Sequence, residues 1–172
     1  MLFRINREKE FTDIYSLVSI IKNDKWLDNK PPTIVICSPE FSGIVGQILI
    51  HELSFLNKNV PLDFKLLEMP YPNGEDFSEE DYIEDIQKLI PKLADLDKII
   101  FVDSGVLRGR NFTVLKNIIK SEINEEKIKY ACLYLQDDSI FEPDYYVEKF
   151  NFKQQGGLTF WWENENSPYW GW

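Results

Sequence analysis

Three short segments, residues 33–37, 98–102 and 128–135, are apolar at nearly every position, and stretches of helical period lie between them. A strand that is apolar on both sides must be covered on both faces, which a parallel sheet with helices above and below provides. This alternation is the strongest constraint in the chain. It predicts an α/β fold, a doubly wound, mostly parallel sheet flanked by helices, with ligands beyond the carboxyl ends of the strands.

Phe11, Ile14, Tyr15, Val18 and Ile21 recur at helical spacing over residues 8–22, so an amphipathic helix opens the chain before Pro31 and Pro32 stop it. Residues 38–43 read as a turn, 44–56 as a helix and 63–67 as another strand. Residues 70–74 have loop composition. Ser78 and Asp81 then start a helix whose buried stripe is Ile83, Ile86, Leu89, Ile90 and Leu93, bent or shortened by Pro91. A helix over about 110–120 follows the 98–102 strand. Beyond Leu135 the pattern changes: 145–147 and 158–161 are short β candidates with no helix between them. One domain accommodates all of this. Residues 1–30 are helix and lead-in, 31–136 the core, and 137–172 a small C-terminal β segment, part of a hood, with an aromatic tail.

The 172 residues carry 19 Lys and Arg against 29 Asp and Glu, a formal charge of −10. Nucleic-acid binding needs a basic face, so a nucleic acid is not an expected partner, whereas a local basic spot for one phosphate is compatible. No stretch reaches the ~18 apolar residues of a membrane span, and no secretory signal pattern opens the sequence. The expectation is a cytoplasmic protein with no membrane contact. Cys37 and Cys132 lie in apolar runs and read as core residues. His51 is the only histidine, and with no Cys/His cluster a zinc site is not expected.

The chemistry concentrates in Ile99-Ile100-Phe101-Val102-Asp103-Ser104-Gly105-Val106-Leu107-Arg108-Gly109-Arg110-Asn111-Phe112. An apolar strand runs into an acid, and a glycine-containing loop opens a helix. Unsatisfied N–H groups and the positive end of the helix dipole converge there, which favours an anion. Gly109 would let a phosphate approach the backbone, while Arg108, Arg110 and Asn111 can add donors. A cation at a helix start is dipole-unfavourable unless an anion joins it, which argues against both arginines being idle surface charge. Asn111 reads equally well as a helix cap.

This segment resembles the signature of the type I phosphoribosyltransferases, in which a strand delivers two acids and a loop of the form acid-Thr-Gly-x-Thr enters a helix. Asp103 matches the first acid and Gly109 the loop glycine; Phe101, Val102 and Phe112 fall at apolar positions of the pattern. Residues 34–43 lie where that family has its first core strand and pyrophosphate loop. Pro143-Asp144-Tyr145-Tyr146-Val147, followed by 158–163, is similar to the closing segment of the hypoxanthine and xanthine-guanine branch. The resemblance spans roughly residues 30–165.

It implies a nucleotide or sugar-phosphate ligand, magnesium accompanying phosphoribosyl pyrophosphate, and a homodimer. Asp103 would be the catalytic acid on the ribose. Ser104, Gly105, Arg108, Gly109, Arg110 and Asn111 would surround ribose and phosphate, Ser38, Glu40, Ser42 and Gly43 the pyrophosphate, and Tyr145, Tyr146, Leu158 and Glu163 the base. Tyr71 and Asn73 would belong to a mobile lid. The departures bear on activity. Ser104 replaces the second acid, Leu107 stands where many members have another acid, and Arg108 and Asn111 replace two threonines. Gly157 stands where purine-specific members place a platform for the base, and Glu40 where a basic residue is common. Such losses each cost ~2–4 kcal/mol in transition-state stabilisation. The expectation is therefore a phosphate-binding protein with reduced or altered catalysis. The alternatives are an active purine-type phosphoribosyltransferase, or a regulatory or scaffold subunit that uses its aromatic tail. Phe160, Trp161, Trp162, Tyr169, Trp170 and Trp172 suit either packing or a partner surface.

Overall fold

The computed structural model describes residues 3–27, 32–37, 39–54, 79–151 and 158–160. Strand β1 (Phe3–Ile5) leads into helix α1 (Arg7–Lys22), whose start is capped by the Asn6 side chain accepting from the Lys9 N–H at 2.8 Å. A 3₁₀ turn, Lys25–Leu27, precedes β2 (Thr33–Ile36) and α2 (Pro39–Ser54). After α3 (Glu79–Leu93) come β3 (Ile99–Val106), α4 (Arg110–Ile119), a 3₁₀ turn at Glu125–Lys127, β4 (Ile128–Gln136), β5 (Tyr145–Phe150) and β6 (Leu158–Phe160). The main sheet has the order β2-β3-β4-β5, every neighbouring pair parallel, and β1 pairs with β6 in a separate ribbon.

The apolar runs became the central strands for the reason their composition demands. Ile34, Ile36, Ile100, Val102, Ala131 and Leu133 pack under α1 and α2. Val35, Phe101, Tyr130 and Cys132 pack under α3 and α4 on the opposite face. Helix α2 lies close on β2: a Cβ placed on Gly46 would come within 2.4 Å of the Ile36 side chain. Among the described residues no helix is long and apolar enough to cross a membrane.

Several expectations need correction. Residues 39–43 are not a turn. The helix begins at Pro39, a residue type whose fixed φ suits the first helical position. The strand expected at 98–102 continues to Val106, because β4 goes on pairing with it through Asp103↔Cys132, Gly105↔Tyr134 and Val106↔Leu135. Asp103 therefore lies inside a strand. Pro91 does not stop α3, which reaches Leu93; so near the end, the missing N–H costs one bond. On α1, Tyr15 is exposed and Phe11 half-buried, while Glu10, Asp13, Ile14, Leu17, Val18 and Ile21 form the buried face. Residues 145–150 form the edge strand of the main sheet, and only β6, against β1, stands apart from it. The 63–67 strand, the 70–74 loop with Tyr71 and Asn73, Ser78, Gly157 and the tail beyond Phe160 lie outside the described residues.

Candidate phosphate-binding crevice

Strands β2 and β3 are neighbours, yet the helices that follow them leave to opposite faces of the sheet. A crevice opens where the connections diverge, and the N-termini of α2 and α4 both face this carboxyl edge. The arrangement follows directly from the sequence order strand-helix on each side.

Asp103 is half-buried on β3. Its Oδ1 accepts from the Ser104 N–H at 2.7 Å. Cys132 is its register partner on β4, and the Cys37 N–H donates to the Val102 carbonyl on the other side at 2.9 Å. Burial, and then the charge of Asp103, push both thiols well above their ordinary pKa, so they stay protonated and are poor nucleophiles. Ser104 is buried, and Leu107 and Arg108 are exposed. Among the described residues no ion pair holds the Arg108 guanidinium.

Gly109 has φ of +76° and is the N-cap of α4, without a side-chain cap. The expected reason for this glycine was approach by a phosphate; the structure gives another. A Cβ here would lie 2.6 Å from both Ser139 Oγ and Phe141 Cβ, so the close approach is made by the connection between β4 and β5. The Gly109 carbonyl accepts from the Thr113 hydroxyl at 2.8 Å and the Thr113 N–H at 3.0 Å. Asn111 is not the cap; it sits within the first turn, its carbonyl accepting from the Tyr82 hydroxyl at 3.3 Å. Arg110 is exposed at the first position of the helix.

On the α2 side Ser42 is fully buried, and a Cβ on Gly43 would meet nothing within 4 Å, so Gly43 borders open space. Ser38 lies outside the described residues, and Glu40 is known only as part of the first turn of α2.

Of the expected base-pocket residues, Tyr145 and Tyr146 lie away from this edge. Tyr145 pairs with Ala131, five residues back from the end of β4, and its hydroxyl donates to Asp24 Oδ2 at 2.7 Å. Tyr146 packs against the α4-side core, with its hydroxyl 3.4 Å from Glu142 Oε1. Leu158 belongs to the β1–β6 ribbon, and Glu163 lies outside the described residues. Sequence reasoning missed Thr113, Ser139 and Phe141, which hold the loop. Of these only Thr113 carried a signal, four residues after Gly109. A groove of about 440 Å³ lies behind the loop, between α4 and the β4–β5 connection, with Thr113, Ile140 and Phe141 in its lining.

No protein-family model matches the sequence. Nor does any curated protein match it. Solved structures do. Purine phosphoribosyltransferase from Pyrococcus horikoshii superposes with a TM-score of 0.62 at 19% identity, covering 95% of each chain. Xanthine-guanine-hypoxanthine phosphoribosyltransferase from Helicobacter pylori gives 0.62 at 12% identity, covering 94% of this chain and 92% of that one. An HGPRT-ase from Leishmania tarentolae, in complex with GMP, gives 0.59 at 13% identity, covering 84% and 78%. The fold is that of the type I phosphoribosyltransferases.

Proposed function

We propose that this chain binds a nucleoside monophosphate or a related phosphorylated sugar at the carboxyl edge, and that any phosphoribosyl transfer there is reduced or altered. In this reading the amides and cationic side chains of residues 107–111 receive the phosphate, and Asp103 accepts from the ribose hydroxyls. One observation carries it. In a fold shared with a GMP complex, exposed Arg108, which no ion pair holds among the described residues, stands just before α4, where an anion makes a cation favourable.

Reduced catalysis follows from what surrounds Asp103. The position of a second acid holds a buried serine, and that of a further acid holds exposed Leu107. Magnesium is held through one or two carboxylates together with substrate phosphates and waters. Residues 103–111 supply one carboxylate, Asp103, whose Oδ1 accepts from the Ser104 N–H; magnesium accompanying phosphoribosyl pyrophosphate would be held there chiefly by the pyrophosphate. Among the described residues no three His, Cys, Asp or Glu side chains gather as metal ligands.

Calorimetric titration with GMP, with and without magnesium, tests the proposal. Binding is expected in both, weakened about tenfold or more by Arg108→Ala, with no pyrophosphate released from phosphoribosyl pyrophosphate over a panel of nucleobases. Turnover with any base supports the active purine-type enzyme instead, the reading favoured by the fold-sharing enzymes. Absence of any phosphate ligand would leave the scaffold reading.

A further inference from the structure

We infer that residues 139–141, outside the loop itself, position the phosphate loop, with Phe141 as the anchor; this rests on the reading just given for residues 107–111. The connection from β3 to α4 is only residues 107–109, and α4 starts without a side-chain cap. Within α4, Thr113 reaches back to Gly109, and the Tyr82 hydroxyl of α3 donates to the Asn111 carbonyl. Further support comes from the segment joining β4 to β5. The Ile140 N–H donates to the Arg108 carbonyl at 3.2 Å, and Ser139 Oγ and Phe141 fill the space left by the absent Gly109 side chain. Ser139 Oγ is itself fixed, donating to the Phe141 carbonyl at 2.9 Å and accepting from the Phe141 N–H at 3.3 Å.

The Phe141 ring closes the circuit. It lies 5.3 Å from Phe112, in the first turn of α4, and 4.9 Å edge-on from Tyr130, which stacks on Phe101 of β3. The loop is thus gripped at Arg108 and Gly109, and the gripping segment is tied to the helix and the strand that flank the loop. A binding loop gains affinity when its supporting side chains lock its geometry beforehand. These residues touch no ligand in this scheme. They are positioning residues. Because the half-buried Phe141 also lines the open groove behind the loop, its truncation opens onto existing space and leaves no sealed void.

The test compares GMP with guanosine, which share everything except the phosphate, in the full chain. Phe141→Ala is expected to lower the GMP-to-guanosine affinity ratio about tenfold, the size of one well-made hydrogen bond. Ile140→Pro, which deletes the N–H to Arg108, should do the same. Phe141→Tyr should restore the wild-type ratio. Ile140→Ala should leave it unchanged, since that side chain is 75% exposed and its N–H remains. Unchanged ratios in both Phe141→Ala and Ile140→Pro overturn the inference. A wild-type chain that binds neither compound overturns the nucleotide reading instead. Positioning is then judged from hydrogen exchange of amides 108–112 in the free protein: faster exchange in Phe141→Ala than in Ile140→Ala sustains it, and equal exchange overturns it.

Discussion

Two polar regions, one under α1 and one at the carboxyl edge of the sheet, are built on different terms. Under α1, Asp13 Oδ2 accepts from the Tyr134 hydroxyl at 2.5 Å and pairs with Lys9 at 2.9 Å, and Lys9 also pairs with Glu148 at 2.9 Å. Tyr134 is the register partner of both Gly105 on β3 and Glu148 on β5. Every link in that cluster is closed by the protein. At the carboxyl edge, Leu107, Arg108 and Arg110 are exposed, and the loop is held through its backbone. A closed network fixes a fold, whereas an exposed cation such as Arg108, which no ion pair holds among the described residues, is open to an anion from outside. The clusters should therefore separate stability from binding.

The largest separation is expected in alkali. Burial above all pushes the phenols of Tyr82, Tyr130, Tyr134 and Tyr145 far above their ordinary value. A raised folded-state pKa means the native state keeps protons the unfolded chain has released. Stability is thus intact below the ordinary tyrosine range near pH 10 and lost as pH rises beyond it. With four such phenols the loss should steepen from about pH 10 upward. Urea denaturation between pH 8 and 11 checks this; a flat profile would show that the phenols are accessible to solvent.

Next in size is Gly109→Ala, which adds a strained left-handed residue and a contact of 2.6 Å that something must relieve. A loss of about 2–4 kcal/mol is expected. Asp13→Ala follows. It leaves the buried Tyr134 hydroxyl without its acceptor and removes one carboxylate from Lys9, for about 2–3 kcal/mol. Chemical denaturation orders the two, and an Asp13→Ala chain as stable as wild type would dissolve the contrast between the clusters.

How much of this was legible in the sequence depends on the range of the interaction that decides each feature. The apolar runs announced β2, the first half of β3, and β4, because burial on both faces leaves no polar positions. The second half of β3 was hidden: Asp103-Ser104-Gly105 breaks the apolar run, and only the ladder with β4 keeps it extended. The 145–150 segment showed as β, but its place as a parallel edge strand did not. Its connection, residues 137–144, uses Phe141 against Tyr130 and Phe112 in place of the usual crossover helix. Strand β1 has three residues, too short for any period to register. At the crevice, Asp103 and the 107–111 loop were readable from order and spacing. The hold of Ser139 and Phe141 on Gly109 is tertiary, between residues far apart in the sequence, and no local pattern announces it.

The smallest stability effect should accompany a large loss of function, and Asp103→Asn is where the two part. The amide keeps an oxygen for the Ser104 N–H, which now reaches Asp103 Oδ1 at 2.7 Å, so the local turn persists. It removes the negative charge that the two neighbouring thiols sense. The folded chain should lose less than about 1 kcal/mol, because a half-buried carboxylate becomes a neutral group of equal size. If Asp103 accepts from ribose hydroxyls, the charged acceptor is worth about 1.5–3 kcal/mol in binding, and affinity for GMP should fall roughly ten- to a hundredfold. Titration of the variant beside its denaturation curve reads both numbers from one preparation. A variant that binds GMP as wild type does would move the ribose away from β3, while a variant that unfolds would place Asp103 among the closed interactions with Asp13.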